Sequence, residues 1–127
     1  MNDGSKILVV EDNDFVRAQI VRFLADEKYH VLEASDGAKA LQTIKDVPDI
    51  NVAIVDVRME PIDGFEFVRS LRAMGLQTPV VLVTGDQNPD LLNESGKWGV
   101  SAVLMKPVQR DRLVKAVARI VQQGARS

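Results

Sequence analysis

Three stretches of consecutive apolar residues limit what this chain can fold into: Ile7-Leu8-Val9-Val10, Val52-Ala53-Ile54-Val55 and Val80-Val81-Leu82-Val83. Each is short and has no polar residue at alternate positions. A strand with one wet face alternates apolar and polar side chains, whereas a strand covered on both faces is apolar throughout. These runs therefore predict strands of a parallel sheet with helices packed on both sides.

Shorter strand-like stretches at 29–34 and 101–105 bring the number to five, and the segments between them carry helical spacing. Val16, Ile20, Phe23 and Leu24 predict a first helix over 14–26, begun by an N-cap within the polar cluster Glu11-Asp12-Asn13-Asp14. Ser35-Asp36-Gly37 opens a second helix with Ala40, Leu41 and Ile44 on its apolar side, and Pro48 lies beyond its end. Phe67, Val68 and Leu71 mark a third, closed by Gly75. A fourth starts at Pro89 and ends near Gly99, with Ser95 and Gly96 weakening its interior. Leu113, Val114, Val117, Ile120 and Val121 form the stripe of a last helix. Strict alternation of five strands and five helices predicts right-handed crossovers and a doubly wound α/β domain.

At 127 residues and 46% hydrophobic content the chain suffices for one such domain with one core, spanning about 6–123 with short polar tails. A net charge of -2, without a basic stripe, argues against direct nucleic-acid contact. The lack of cysteine excludes disulfides, thiolate metal sites and a cysteine nucleophile. No apolar run approaches the roughly 20 residues of a membrane span, and the polar start differs from a signal peptide, so the expected location is the cytoplasm.

In a parallel sheet the residues just past the strand C-termini converge on one edge, where open α/β sheets bind ligands. Here they are Glu11 and Asp12, Asp56, Thr84 and Lys106: three carboxylates, a hydroxyl and an ammonium. Three uncompensated acids repel one another, and a hard divalent cation such as Mg2+ relieves this by binding carboxylates, water and phosphate oxygens. A carboxylate so placed is a usable nucleophile toward phosphorus, with the ammonium, the hydroxyl and backbone N–H groups suited to the phosphoryl oxygens.

An apolar strand then Glu-Asp, a strand then Asp, a strand then Thr-Gly and a strand then Lys-Pro, in this order and spacing, resemble the receiver domain of two-component response regulators, from about residue 6 to 123. The resemblance implies a flavodoxin-like fold, strand order 2-1-3-4-5, in which Asp56 accepts a phosphoryl group from a sensor histidine kinase or phosphotransfer protein and switches a downstream effector or fused output domain. It implies Mg2+ as cofactor, with Mn2+ an acceptable substitute. Asp12, Asp56 and the Arg58 carbonyl would bind the ion, and Glu11 would help through water. Thr84 and Lys106 would hold phosphoryl oxygens, and the Lys106-Pro107 bond is expected to be cis. On this reading the protein catalyses only its own phosphorylation and dephosphorylation. Homodimerisation through the last helices stays open.

The chain departs from the family pattern in two places. Three residues before the Lys, where the family commonly has Tyr or Phe, stands Val103, which has no ring to swing inward. Pro61 comes one place later than the usual Met-Pro would put it, although Gly64 keeps its distance from Asp56. Arg58 and Asp86, two residues after Asp56 and Thr84, are expected to pair across the pocket mouth and restrict hydrolytic water. His30, at the start of the second strand, reads as structural or surface, and Trp98 as core or a partial surface patch. Two rival readings are open: a phosphatase working through an aspartyl phosphate, for which Arg58 replaces the expected second acid, and a receiver-like module that only binds partners.

Overall fold

In the computed structural model, which describes residues 4–85 and 89–126, five strands alternate with five helices. The order is β1 (Lys6–Val10), α1 (Asp14–Ala25), β2 (His30–Ala34), α2 (Gly37–Asp46), β3 (Val52–Asp56), α3 (Gly64–Ala73), β4 (Val80–Thr84), α4 (Pro89–Lys97), β5 (Ala102–Met105) and α5 (Arg110–Arg126). All pairings are parallel and the sheet runs β2-β1-β3-β4-β5. This is the flavodoxin-like doubly wound arrangement, and its chain reversal lies between β1 and β3.

Strand parity divides the core into two layers. Leu8, Val10, Ala53, Val55, Val80 and Leu82 join Ala40, Ile44, Phe67, Val68 and Leu71 of α2 and α3. Ile7, Val9, Val52, Ile54, Val81 and Val83 join Ile20 and Leu24 of α1 and Leu113, Val117 and Ile120 of α5. The three central strands are buried on both faces, as their unbroken apolar runs require. The outer strands β2 and β5 are only partly covered, and β2 carries the exposed His30 and Glu33 among its apolar residues.

Local chemistry sets the helix ends. Asn13 accepts from Val16 N at 3.0 Å and Asp36 from Lys39 N at 2.8 Å. Asp63 and Glu66 form a reciprocal capping box on α3. Arg72, near the end of α3, donates to the carbonyls of Trp98 (3.1 Å), Leu76 (3.0 Å) and Thr78 (3.0 Å), so one guanidinium ties α3 to the segments entering β4 and leaving α4. Trp98 packs against the α2/α3 layer, donates to Glu94 Oε1 at 3.1 Å and has Arg69 over its ring at 5.9 Å.

Several boundaries differ from the sequence reading; β5 begins at Ala102 rather than at residue 101, and α4 ends at Lys97. Lys28 takes a left-handed φ of 72°, so the chain turns there and Tyr29 buries its ring in the α1/α5 layer before the strand begins at His30. The first helix ends at Ala25, with Asp26 as its cap. At the other end α5 continues to Arg126 through residues expected as a polar tail; Gln, Ala and Arg are good helix formers, and one Gly is tolerated. Among the described residues, no helix is long and apolar enough to cross a membrane.

Candidate functional site

The C-terminal edge of the sheet gathers the acids and the ammonium. Glu11 extends the ladder one residue past β1, its N–H donating to Ala34 O at 3.1 Å. Asp56 is the last residue of β3, and Lys106 follows β5 with its N–H on Thr84 O at 2.8 Å. By parity Glu11, Asp56 and Lys106 all continue the rows that face α1 and α5, while Thr84 continues the row of Val80 and Leu82 on the other face. The three side chains therefore meet. Lys106 Nζ lies 3.0 Å from Glu11 Oε1 and 3.3 Å from Asp56 Oδ1.

Glu11 and Asp56 are buried and Asp12 is exposed at the rim. A carboxylate oxygen from each of the three lies within 4.8 Å of the others. Glu11 Oε2 accepts from Asn13 N at 3.2 Å, whereas Oε1 is buried without a hydrogen bond. The Lys106 ammonium, 3.0 Å from Oε1, balances its charge. Burial, then the contact with Glu11 and its charge, raises the Asp12 carboxyl above its ordinary value. Burial pulls the Lys106 ammonium down, but Glu11 and Asp56 outweigh it and leave its pKa raised. Three close carboxylates, one with an underused buried oxygen and one resisting ionisation, form a donor set that fits a hard divalent cation.

Thr84 is buried at the end of β4, beside Met105 in the register of β5. Arg58 is exposed, and its amide reaches Asp56 Oδ1 at 3.4 Å. Its expected partner Asp86 lies outside the described residues. The Lys106-Pro107 bond is cis, and so is Glu60-Pro61, which the sequence reading did not anticipate. Val103 pairs with Leu82 and packs, half-buried, against the α2/α3 layer. His30 is exposed at the start of β2, at the opposite end of the sheet from the acids.

Two supporting residues were missed as such. Arg17 on α1 donates to the Glu11 carbonyl at 2.7 Å, and its one sequence signal was the i,i+3 spacing to Asp14. Gly64 was noted for its spacing, but its role is steric: a Cβ there would lie 2.6 Å from the Asp56 carbonyl oxygen.

The profile of the response regulator receiver domain matches residues 7–118, and the chain belongs to that family. The structure resembles the chemotaxis protein CheY4 of Vibrio cholerae, with 31% identity, a TM-score of 0.85 and coverage of 91% of this chain and 98% of that one. It likewise resembles the signal receiver domain of the putative response regulator NarL from Mycobacterium tuberculosis: 30% identity, TM-score 0.85, coverage 94% and 98%. Among curated proteins, the probable transcriptional regulatory protein NarL of M. tuberculosis is 34% identical over 88% of this chain and 52% of its own length. The peroxide stress-activated histidine kinase mak3 of Schizosaccharomyces pombe is 30% identical over 95% of this chain and 6% of its own. The chain thus spans about half or less of the length of these curated relatives. Receiver domains are signalling domains of response regulators and sensor kinases, phosphoacceptance is their general function, and they bind Mg2+ at an acidic pocket of the kind formed here.

Proposed function

We propose that the chain is one receiver domain whose phosphoacceptor is Asp56, taking its phosphoryl group from a phosphohistidine of a sensor kinase or phosphotransfer protein. The observation that carries this reading is the meeting of Lys106 with Glu11 and Asp56 at 3.0 and 3.3 Å, at the sheet edge where three carboxylates converge.

An Asp56 oxygen attacks phosphorus as the P–N bond to the donor imidazole breaks, and the imidazole leaves with the electron pair. Lys106 compensates the anionic oxygens, and the Thr84 hydroxyl donates to one of them. Asp12, Asp56 and the Arg58 carbonyl would hold Mg2+, and Glu11 would help through water. When bound, the ion supplies positive charge that offsets the acids and the phosphoryl oxygens. The exposed Phe15, two residues after the N-cap of α1, offers a protein donor an apolar contact at the rim. Phosphorylation then biases a pre-existing equilibrium at the face of α4, β5 and α5, read by an effector or an output domain in the cytoplasm. With Val103 in β5, that bias travels without a swinging ring.

Incubation with acetyl phosphate and Mg2+ is expected to add one phosphate to the wild-type chain and none to Asp56→Asn. Equal labelling of the variant overturns the assignment. Multiple-turnover hydrolysis of an added phosphoester would favour a phosphatase instead.

A further inference from the structure

The Arg17 side chain is only 16% exposed and its guanidinium is shared among three elements. One nitrogen donates to the Glu11 carbonyl at 2.7 Å, in the turn after β1. A second meets Asp14 Oδ1 at 2.6 Å in the first turn of α1, and Nε meets Glu33 Oε1 at 3.2 Å near the end of β2. The first contact matters most for the site. The Glu11 carbonyl and the Asp12 N–H belong to one planar peptide, so holding that oxygen fixes the plane joining the two acids. The Glu11 N–H is already held by Ala34 O at 3.1 Å. Arg17 therefore completes the orientation of the Glu11-Asp12 backbone, and with it the directions in which both carboxylates leave the chain.

We propose that Arg17 is a positioning residue for the divalent-cation site: it sets the Glu11-Asp12 peptide plane and so presents the two acids toward Asp56. This rests on the reading of the site as one that binds Mg2+. The arrangement makes a prediction whose sign is informative. A guanidinium near a cation site repels the cation, so if Arg17 acted only by its charge, removing it would tighten Mg2+ binding. If it acts by orientation, removing it weakens binding. The planar fork is what allows three simultaneous partners; a lysine ammonium keeps the charge but cannot reproduce the fork.

The test is calorimetric titration of Mg2+ into the full chain and into Arg17→Gln, Arg17→Lys and Glu33→Gln, with thermal melts of each in chelator. Arg17→Gln is expected to bind Mg2+ roughly tenfold more weakly, the low end of the range for groups that orient metal ligands. Arg17→Lys should fall between it and wild type. Glu33→Gln, which leaves the carbonyl contact in place, should stay within about threefold of wild type, well short of the loss expected for an orienting group. Unchanged or tighter binding by Arg17→Gln, whatever its melting temperature, overturns the inference while leaving the Mg2+ site standing. A wild-type chain that binds no Mg2+ overturns the reading of the site and the inference with it. If Arg17→Gln does not fold, the Arg17→Lys titration decides, since equal affinity to wild type rules out orientation through the fork.

Discussion

Gly64 touches the backbone of Asp56 so closely that no side chain fits between them: a Cβ on Gly64 would stand 2.6 Å from the Asp56 carbonyl oxygen and 2.9 Å from Val57 Cα. Its own N–H donates to Val57 O at 2.8 Å. The start of α3 is thereby drawn against the end of β3, and the turn carrying residues 58–63 is folded back over the sheet edge.

Gly64→Ala must push that backbone apart. The expected loss of stability is roughly 1–3 kcal/mol, the usual range for overpacking. Because the displaced atoms belong to Asp56, acetyl phosphate labelling should also slow. Urea melts and a labelling time course check the two effects on the same sample.

Much of this architecture was readable in advance because burial on both faces leaves an unmistakable sequence pattern. The short runs at Ile7–Val10, 52–55 and 80–83 match strands buried on both faces, and a parallel sheet then brings Glu11, Asp56 and Lys106 to one edge. Parity supplies what the list of strand ends did not: those three side chains share a face, and Thr84 starts from the other. The carbonyl contacts of Arg17 and Arg72 were invisible for a different reason. Both residues act on main-chain carbonyls, and a carbonyl has no residue type to recognise. The turn at Lys28 was hidden too, since left-handed backbone is usually signalled by Gly or Asn.

Arg72→Ala removes the donor to three carbonyls at once, those of Leu76, Thr78 and Trp98. Partial burial lowers the Arg72 pKa, which marks a guanidinium that gives up hydration to make these bonds. The expected destabilisation is about 1–3 kcal/mol, in the range for leaving polar groups unpaired. Trp98 is the one tryptophan of the chain and donates its ring N–H to Glu94 beside this clamp. A shift in its fluorescence should accompany the urea midpoint change.

Lys106→Met keeps most of the stem and removes the charge that holds Glu11 and Asp56 together. Breaking one side of a fully buried pair loses roughly 3–5 kcal/mol. The Lys106 side chain is 28% exposed, so solvent screens part of that. The expected loss without divalent cation is about 1–3 kcal/mol. Added Mg2+ should raise the melting temperature of the variant more than that of wild type, since the bare acids then have only the ion to offset them. Equal gains in thermal melts would contradict this account.

The pH dependence has a definite sign at each end. The Lys106 pKa is raised, so its stabilisation is full below the ordinary lysine value of 10.5 and is lost as pH climbs through the native value. Asp12 is also raised, above 3.8, and for a carboxyl this means that the native chain holds the proton more tightly than the unfolded one. Its contribution therefore falls as pH rises from the ordinary aspartate value to the native one. Asp12 is exposed, so the slope is shallow. Mg2+ competes with that proton, and carboxyl NMR titrations should show the Asp12 midpoint dropping when the ion is added.

Phe15 is 82% exposed in the first turn of α1, where an aromatic ring gains nothing from its own fold. If its value lies in contact with a protein donor, Phe15→Ala should leave two quantities unchanged: the melting temperature and the rate of labelling by acetyl phosphate, a donor too small to reach the ring and the pocket together. Transfer from a phosphorylated kinase or phosphotransfer domain should slow, by roughly three- to tenfold for one aromatic contact at an interface. Comparing the two donors on the same variant separates docking from chemistry. Equal slowing with both would place Phe15 in the support of the acidic turn, beside Asn13 and Asp14, and remove it from the docking surface.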